Sequence, residues 1–177
     1  DPVEHAAVVS SDPTVRQPTV AERLSEILPP AESGEPSYIT DLRERSLAGA
    51  PRALATLAEQ YWKGFGVTKD YAAGVALLEF GIEQGFANAK LERADLLLSE
   101  SGSPASTERA IRLLEEAAPE YHKAYVRLGA IFRTSDSVRA LGYFQKAVDS
   151  GDSHGLIDLG RLYAGDPAGH VAYDGAK

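Results

Sequence analysis

The chain contains no cysteine and no methionine, one tryptophan and five phenylalanines among its 177 residues. Without cysteine there can be no disulfide framework, no thiolate zinc site and no cysteine nucleophile, and the redox compartment leaves no trace. No run of lysine or arginine is long enough to track a phosphate backbone, and the formal charge is −8, from 18 basic and 26 acidic residues. Nucleic acid is therefore excluded as an expected partner. No apolar stretch approaches the roughly 18 residues of a membrane span. What the chain does have is 44% hydrophobic residues, enough to bury the core of a globular protein of about one domain.

The charge is uneven. Residues 1–37 hold seven acids against two bases, six of the ten prolines and no aromatic residue. Such a stretch buries too little apolar surface to offset the entropy of ordering, and it reads as a flexible acidic tether. One island breaks it. Thr19 followed by Glu22 has the spacing of a capping box, and Leu24, Ile27 and Leu28 line one helical face before Pro29-Pro30 stops it, so a short helix is predicted over 20–28. Alone it would be marginal, and docking on the main domain, docking on a partner or flickering are all open to it.

From Tyr38 to Lys177 the sequence repeats. Ala53-Leu54-Ala55-Thr56-Leu57-Ala58 aligns with Ala89 to Ala94, Ala124 to Gly129 and Gly155 to Gly160, at offsets of 36, 35 and 31. A second family of segments lies between these blocks. Gly74, Ala110 and Ala140 share one small slot, Leu78, Leu114 and Phe144 a large one, and Gly81, Ala117 and Ala147 another small one. Small residues at fixed places let helix backbones approach, and the large residue fills the facing groove. Leu54, Leu57, Ala58 and Tyr61 fall at helical, not strand, spacing. The expected fold is all-α: a right-handed α-solenoid of stacked antiparallel helix hairpins, four units over 38–177. Helices are predicted at 38–48, 51–63, 70–84, 87–99, 107–118, 121–133, 136–150 and 153–164. Gly49, Gly85 and Gly151 stand where left-handed caps would turn the chain back. The last unit is expected to be incomplete, with Tyr173 to Lys177 as the first turn of its second helix and the parent protein continuing beyond it.

The segment from Leu57 to Gly85, with Tyr61, Gly64, Gly66-Val67, Asp70 and Ala73, resembles the Sel1-like variety of tetratricopeptide-type repeat. Its G-x-G-V-x-x-D link is the most specific part. The links at Ser101-Gly102-Ser103-Pro104 and Arg133-Thr134-Ser135-Asp136 depart from that pattern. Leu113 to Pro119, Ala124 to Phe132 and Leu159 to Tyr163 are also similar to segments of the periplasmic Sel1-like lipoproteins of bacterial alginate secretion. That second resemblance implies a scaffold lipid-anchored to the outer membrane, holding an export porin near periplasmic polysaccharide-modifying enzymes. The lipidated cysteine of such an anchor is absent here. Sel1-like signalling adaptors, periplasmic or cytoplasmic, fit the same residues.

No catalytic constellation stands out, and no enzyme, metal or cofactor is expected. His154 and Asp158, at i and i+4 with Asp152 nearby, supply too few ligands for a metal and read as a solvated face. His122 beside Glu120 reads as an exposed helix start. Glu115-Glu116 are adjacent on a helix and diverge, so they cannot flank a bond. Gly64-Phe65-Gly66 lacks the ending and the preceding strand of a phosphate loop. The expected function is binding. Candidate contacts on the first helices, which line the concave face of a solenoid, are Trp62, Lys63, Lys90, Arg93, Arg127, Arg133 and Arg161, together with Glu59. Arg93, Arg127 and Arg161 recur at offsets of 34 and would form a basic ladder for an acidic partner or an anionic polysaccharide, unless they are solubilising charges or partners of Asp95 and Asp158.

Overall fold

The computed structural model describes residues 16–100 and 103–164, and the regular structure among them is entirely helical. The helices are α1 (Val20–Ile27), α2 (Ser37–Leu47), α3 (Pro51–Lys63), α4 (Tyr71–Glu83), α5 (Ala87–Glu100), α6 (Pro104–Ala117), α7 (Lys123–Phe132), α8 (Ser137–Asp149) and α9 (Ser153–Ala164). Three hairpins, α3/α4, α5/α6 and α7/α8, stack in order, and α9 adds the first helix of the next. The first helices touch along the inner face, α3 on α5 and α7 on α9. Each second helix wedges between its own first helix and the following one, α4 on α3 and α5, α6 on α5 and α7, α8 on α7 and α9. This is an α-solenoid.

Local chemistry explains the turns. Gly49, Gly85 and Gly151 adopt φ of 83°, 79° and 84°, a region that costs a Cβ-bearing residue but not glycine. Each lets the next amide reach back to close the helix end, as where Phe86 N donates to the Gly81 carbonyl at 2.9 Å. In the α3–α4 link, Val67 is buried and Asp70 caps α4 by accepting from Ala73 N at 2.9 Å. α6 begins three residues before its predicted start, because the Ser103 hydroxyl accepts from Ser106 N and Pro104 suits the first turn.

The small and large slots have the expected packing role. A Cβ on Gly81 would come within 2.6 Å of the Ala89 methyl, and one on Gly129 within 2.4 Å of the Phe144 ring. Tyr61, Phe144 and the leucines at 54, 57, 78, 114 and 128 are fully buried.

The tether drawn over 1–37 requires correction for residues 19–36, which are folded against the solenoid. Thr19 and Glu22 form the capping box, and Leu24, 1% exposed, enters the core beside Ile39, Leu77 and Phe80. The following turn is pinned by Arg43, whose guanidinium donates to the Pro29 carbonyl at 2.8 Å, to Glu35 at 3.0 Å and to the Tyr61 hydroxyl. Glu32 accepts from Thr68 N and Oγ1 at 3.0 Å. A short amphipathic helix is thus held by tertiary packing that its own length would not supply. Residues 1–15, and the predicted helix turn at 173–177, lie outside the described residues.

Candidate functional site

Where α3, α5 and α7 run side by side on the inner face, a cleft of about 350 Å³ opens, lined by Glu59, Trp62, Lys63, Glu92, Asp95, Ser99, Lys123 and Arg127. The helical repeat places them. Thr56, Glu92, Arg127 and Asp158 occupy the fourth position of the aligned blocks, and Glu59, Asp95 and Arg161 lie three residues further on, so both sets project from one face. A second cleft of about 420 Å³ continues between α7 and α9, sharing Lys123 and Arg127 and adding Val126, Asp152, His154 and Asp158.

Most charges in this wall are already matched. Lys63 pairs with Glu59 one turn earlier on α3, and Arg127 Nε lies 3.0 Å from Asp95 Oδ1, tying α7 to α5. Arg161 pairs with Asp158 at 3.1 Å. The Lys63 ammonium also sits 4.9 Å from the Trp62 ring centre. Lys123 and Glu92 are the exceptions, with no ion pair or hydrogen bond among the described residues, and of the two Glu92 is half-buried. Burial raises its pKa above the ordinary carboxyl value, and the neighbouring charges of Glu59 and Asp95 push the same way, against the weaker pull of Lys123 and Lys63.

The candidate contacts therefore separate. Trp62, half-buried, Lys63 and Arg127 share the cleft. Arg133 is exposed at the end of α7, outside it. Lys90 is turned away, bonded to Glu116 of α6 at 2.9 Å. Arg93 is 7% exposed, its Nε bonded to Glu79 of α4 at 2.9 Å, while Arg109 of α6 holds the same carboxylate. The basic ladder consequently has no free rungs, since Arg93 is buried and Arg127 and Arg161 are neutralised at home by Asp95 and Asp158. The alignment itself carried the signal, because Arg93 occupies the fifth position, filled elsewhere by Leu57, Leu128 and Leu159. Glu92 and Lys123 were missed as contacts; the fourth-position register points to Glu92.

His154 Nδ1 lies 3.0 Å from Asp152 Oδ1, and among the described residues no cluster of three or more histidine, aspartate or glutamate side chains is arranged to hold a metal. Glu115 and Glu116 diverge, one toward Arg139 and Tyr143 of α8, the other toward Lys90. No described helix is long and apolar enough to cross a membrane. The inner face offers an open polar surface suited to contact.

A stacked-hairpin solenoid with a side-chain-lined inner groove defines the class of repeat scaffold proteins. Within that class, the Sel1 repeat model matches residues 51–86, 89–118 and 122–152, so the chain belongs to the Sel1-repeat family, whose repeats generally mediate protein interactions. The structure is similar to that of a Sel1 repeat protein from Oxalobacter formigenes, at 25% identity and a TM-score of 0.61, covering 73% of this chain and 55% of that one. It also shares its fold with c5321, a protective antigen of uropathogenic Escherichia coli, at 22% identity and a TM-score of 0.58, covering 71% of this chain and 28% of that one. The chain thus spans about half of the first protein and under a third of the second. A comparison with curated proteins finds no match.

Proposed function

We propose that this chain is a non-catalytic scaffold that seats a partner protein along the inner face of its solenoid, in the cleft between α3, α5 and α7. The observation that carries the reading is the cleft itself: side chains from three successive hairpins converge on one open polar surface beside an aromatic ring. The finer assignment is to a periplasmic assembly for exopolysaccharide secretion, with an export porin and polysaccharide-modifying enzymes as partners. Its support is the similarity of Leu113 to Pro119, Ala124 to Phe132 and Leu159 to Tyr163 to the alginate-secretion lipoproteins. A signalling adaptor of the same family is the competing role. Direct binding of an anionic polymer is disfavoured, since the arginines it would use are buried or paired.

The test is a photo-crosslinking residue placed at Ser99, with the protein used as bait in an envelope extract at low and moderate salt, with and without residues 1–15. Crosslinks to periplasmic or outer-membrane secretion proteins are the expected result. Recovery of polysaccharide alone, lost on raising the salt, would replace the scaffold by a carbohydrate-binding module, and crosslinks to cytoplasmic signalling proteins would move the compartment.

A further inference from the structure

We propose that the groove between α2 and α4 is a docking site for an amphipathic helix of a partner protein, and that α1 is a resident ligand filling it in cis. The site is separate from the inner cleft and does not depend on what occupies that cleft. The grooves along the stack are closed differently. α4 and α6 are tied directly by Glu79 and Arg109 at 2.7 Å, and α6 and α8 by Glu115 and Arg139 at 3.2 Å. Among the described residues no ion pair or hydrogen bond joins α2 to α4 directly, and α1 lies against both.

The groove reads two adjacent residues of α1. The Arg23 guanidinium lies 5.3 Å from the Phe80 ring centre and 2.7 Å from Glu83 of α4. Leu24 is fully buried in one cluster with Ile39 of α2 and Leu77 and Phe80 of α4, and Ile27 and Leu28 pack against the same cluster. The ligand chemistry is therefore a helix with a basic residue, an apolar residue after it, and apolar residues three and four positions beyond that.

α1 is a displaceable occupant. Its eight residues make a helix that is marginal without the groove, and Leu24 is its single buried side chain. The Arg23 and Glu83 side chains are 43% and 60% exposed, so water weakens their pairing. The chain that follows is fastened without α1: Arg43 holds the Pro29 and Pro30 carbonyls, and Glu32 holds Thr68. α1 can thus swing about the extended Leu28 while that segment stays in place. A second copy of this chain would offer the same contacts as α1 and lack the advantage of a tether. A longer partner helix, formed before it arrives, adds contacts and carries a smaller ordering cost.

The probe is a fluorescein-labelled peptide of residues 16–30, added to the full chain and read by anisotropy. Leu24→Asp in the chain is expected to undock α1 and empty the groove. The peptide should then bind saturably, about tenfold or more tighter than to the parent, as for a groove roughly nine-tenths filled in cis. The same peptide carrying Leu24→Asp should bind neither chain. Glu83→Arg added to the Leu24→Asp chain should weaken binding, and Arg23→Glu in the peptide should restore it, a reversal that a non-specific apolar contact would not show. Circular dichroism establishes folding. If Leu24→Asp unfolds the chain, Arg23→Glu in the chain loosens α1 without touching the core and must itself raise peptide affinity over the parent. No saturable binding to the folded variants, equal affinity for parent and variants, or equal binding of the Leu24→Asp peptide would each overturn the proposal. A concentration-dependent dimer of the parent in sedimentation, dissolved by the peptide, would also overturn it, because the occupant would then be a second copy.

Discussion

Arg93 puts a charge where the other hairpins put Leu57, Leu128 and Leu159, and the structure makes that substitution workable by sending Glu79 from α4 to meet it. Arg109 binds the same carboxylate from α6, so one acid joins three helices of two hairpins. Removing one partner of a buried pair costs more than replacing it with apolar bulk. Arg93→Ala should destabilise the protein by about 3 kcal/mol, through the lost bond and the void together, while Arg93→Leu should cost about 1 kcal/mol or less, because Glu79 keeps Arg109. Urea unfolding of the two variants decides this, and equal losses would mean that the ion pair, not the volume, holds the position. Glu92, the adjacent residue, has the opposite balance. Its carboxyl pKa is raised in the folded state by burial and by Glu59 and Asp95, so the ionised form costs stability at neutral pH, and that cost is relieved as pH falls through the raised value. Glu92→Gln should therefore be slightly more stable than the parent at pH 7 in urea unfolding, and the difference should shrink on mild acidification. The position of both residues was legible in the repeat alignment. That Arg93 has a partner was not, because Glu79 comes from another helix.

The helices themselves were legible nearly to their ends, because period, caps and glycines agreed: α3 and α9 start and stop at their predicted residues, and Asp70 and Asp136 cap α4 and α8. The docking of α1 was not, since eight residues with one apolar face carry no information about which surface receives them. Packing between elements makes a paired prediction at equivalent slots. Gly129 on α7 and Gly160 on α9 align, but Phe144 of α8 lies on the first, whereas nothing lies within 4 Å of a Cβ on the second. Gly129→Ala should destabilise by about 1–3 kcal/mol through overpacking, and Gly160→Ala should stabilise by about 0.5–1 kcal/mol through helix propensity alone. Thermal unfolding of the two single variants reads the contrast, and a same-sign shift would show that α8 does not seat as described. α1 supplies a pH test of its own. The Thr19 backbone amide, and then its hydroxyl, holds the Glu22 pKa below the ordinary value. The capping contribution is complete above the unfolded-state pKa and is lost as pH falls through the lowered one, so amide exchange in α1 should rise under acid before it rises in α3.

Among the described residues, the helices contact those adjacent to them in the stack. At one end α1 covers α2 and α4 with Leu24, and Arg43 secures the chain that follows. On α9, Leu156 and Ile157 are exposed, 60% and 55% accessible. Stability in such an array is a sum of unit and interface contributions. Leu128 makes that division measurable. It is fully buried in α7, within the core shared by α5, α6 and α7, and its truncation to alanine should cost about 2–5 kcal/mol. In a globule with one indivisible core, that loss would raise hydrogen exchange everywhere alike. In this solenoid the loss falls on the coupling of α7 to α5 and α6, leaving α3 and α4 with their own cluster around Leu57, Tyr61 and Leu77. Leu128→Ala should therefore release α7, α8 and α9 to faster exchange while the slowest amides of α3 and α4 keep protection close to that of the parent. A uniform rise along the chain would instead mean that the hairpins unfold as one unit, and that the inner cleft is only as rigid as the least stable of them.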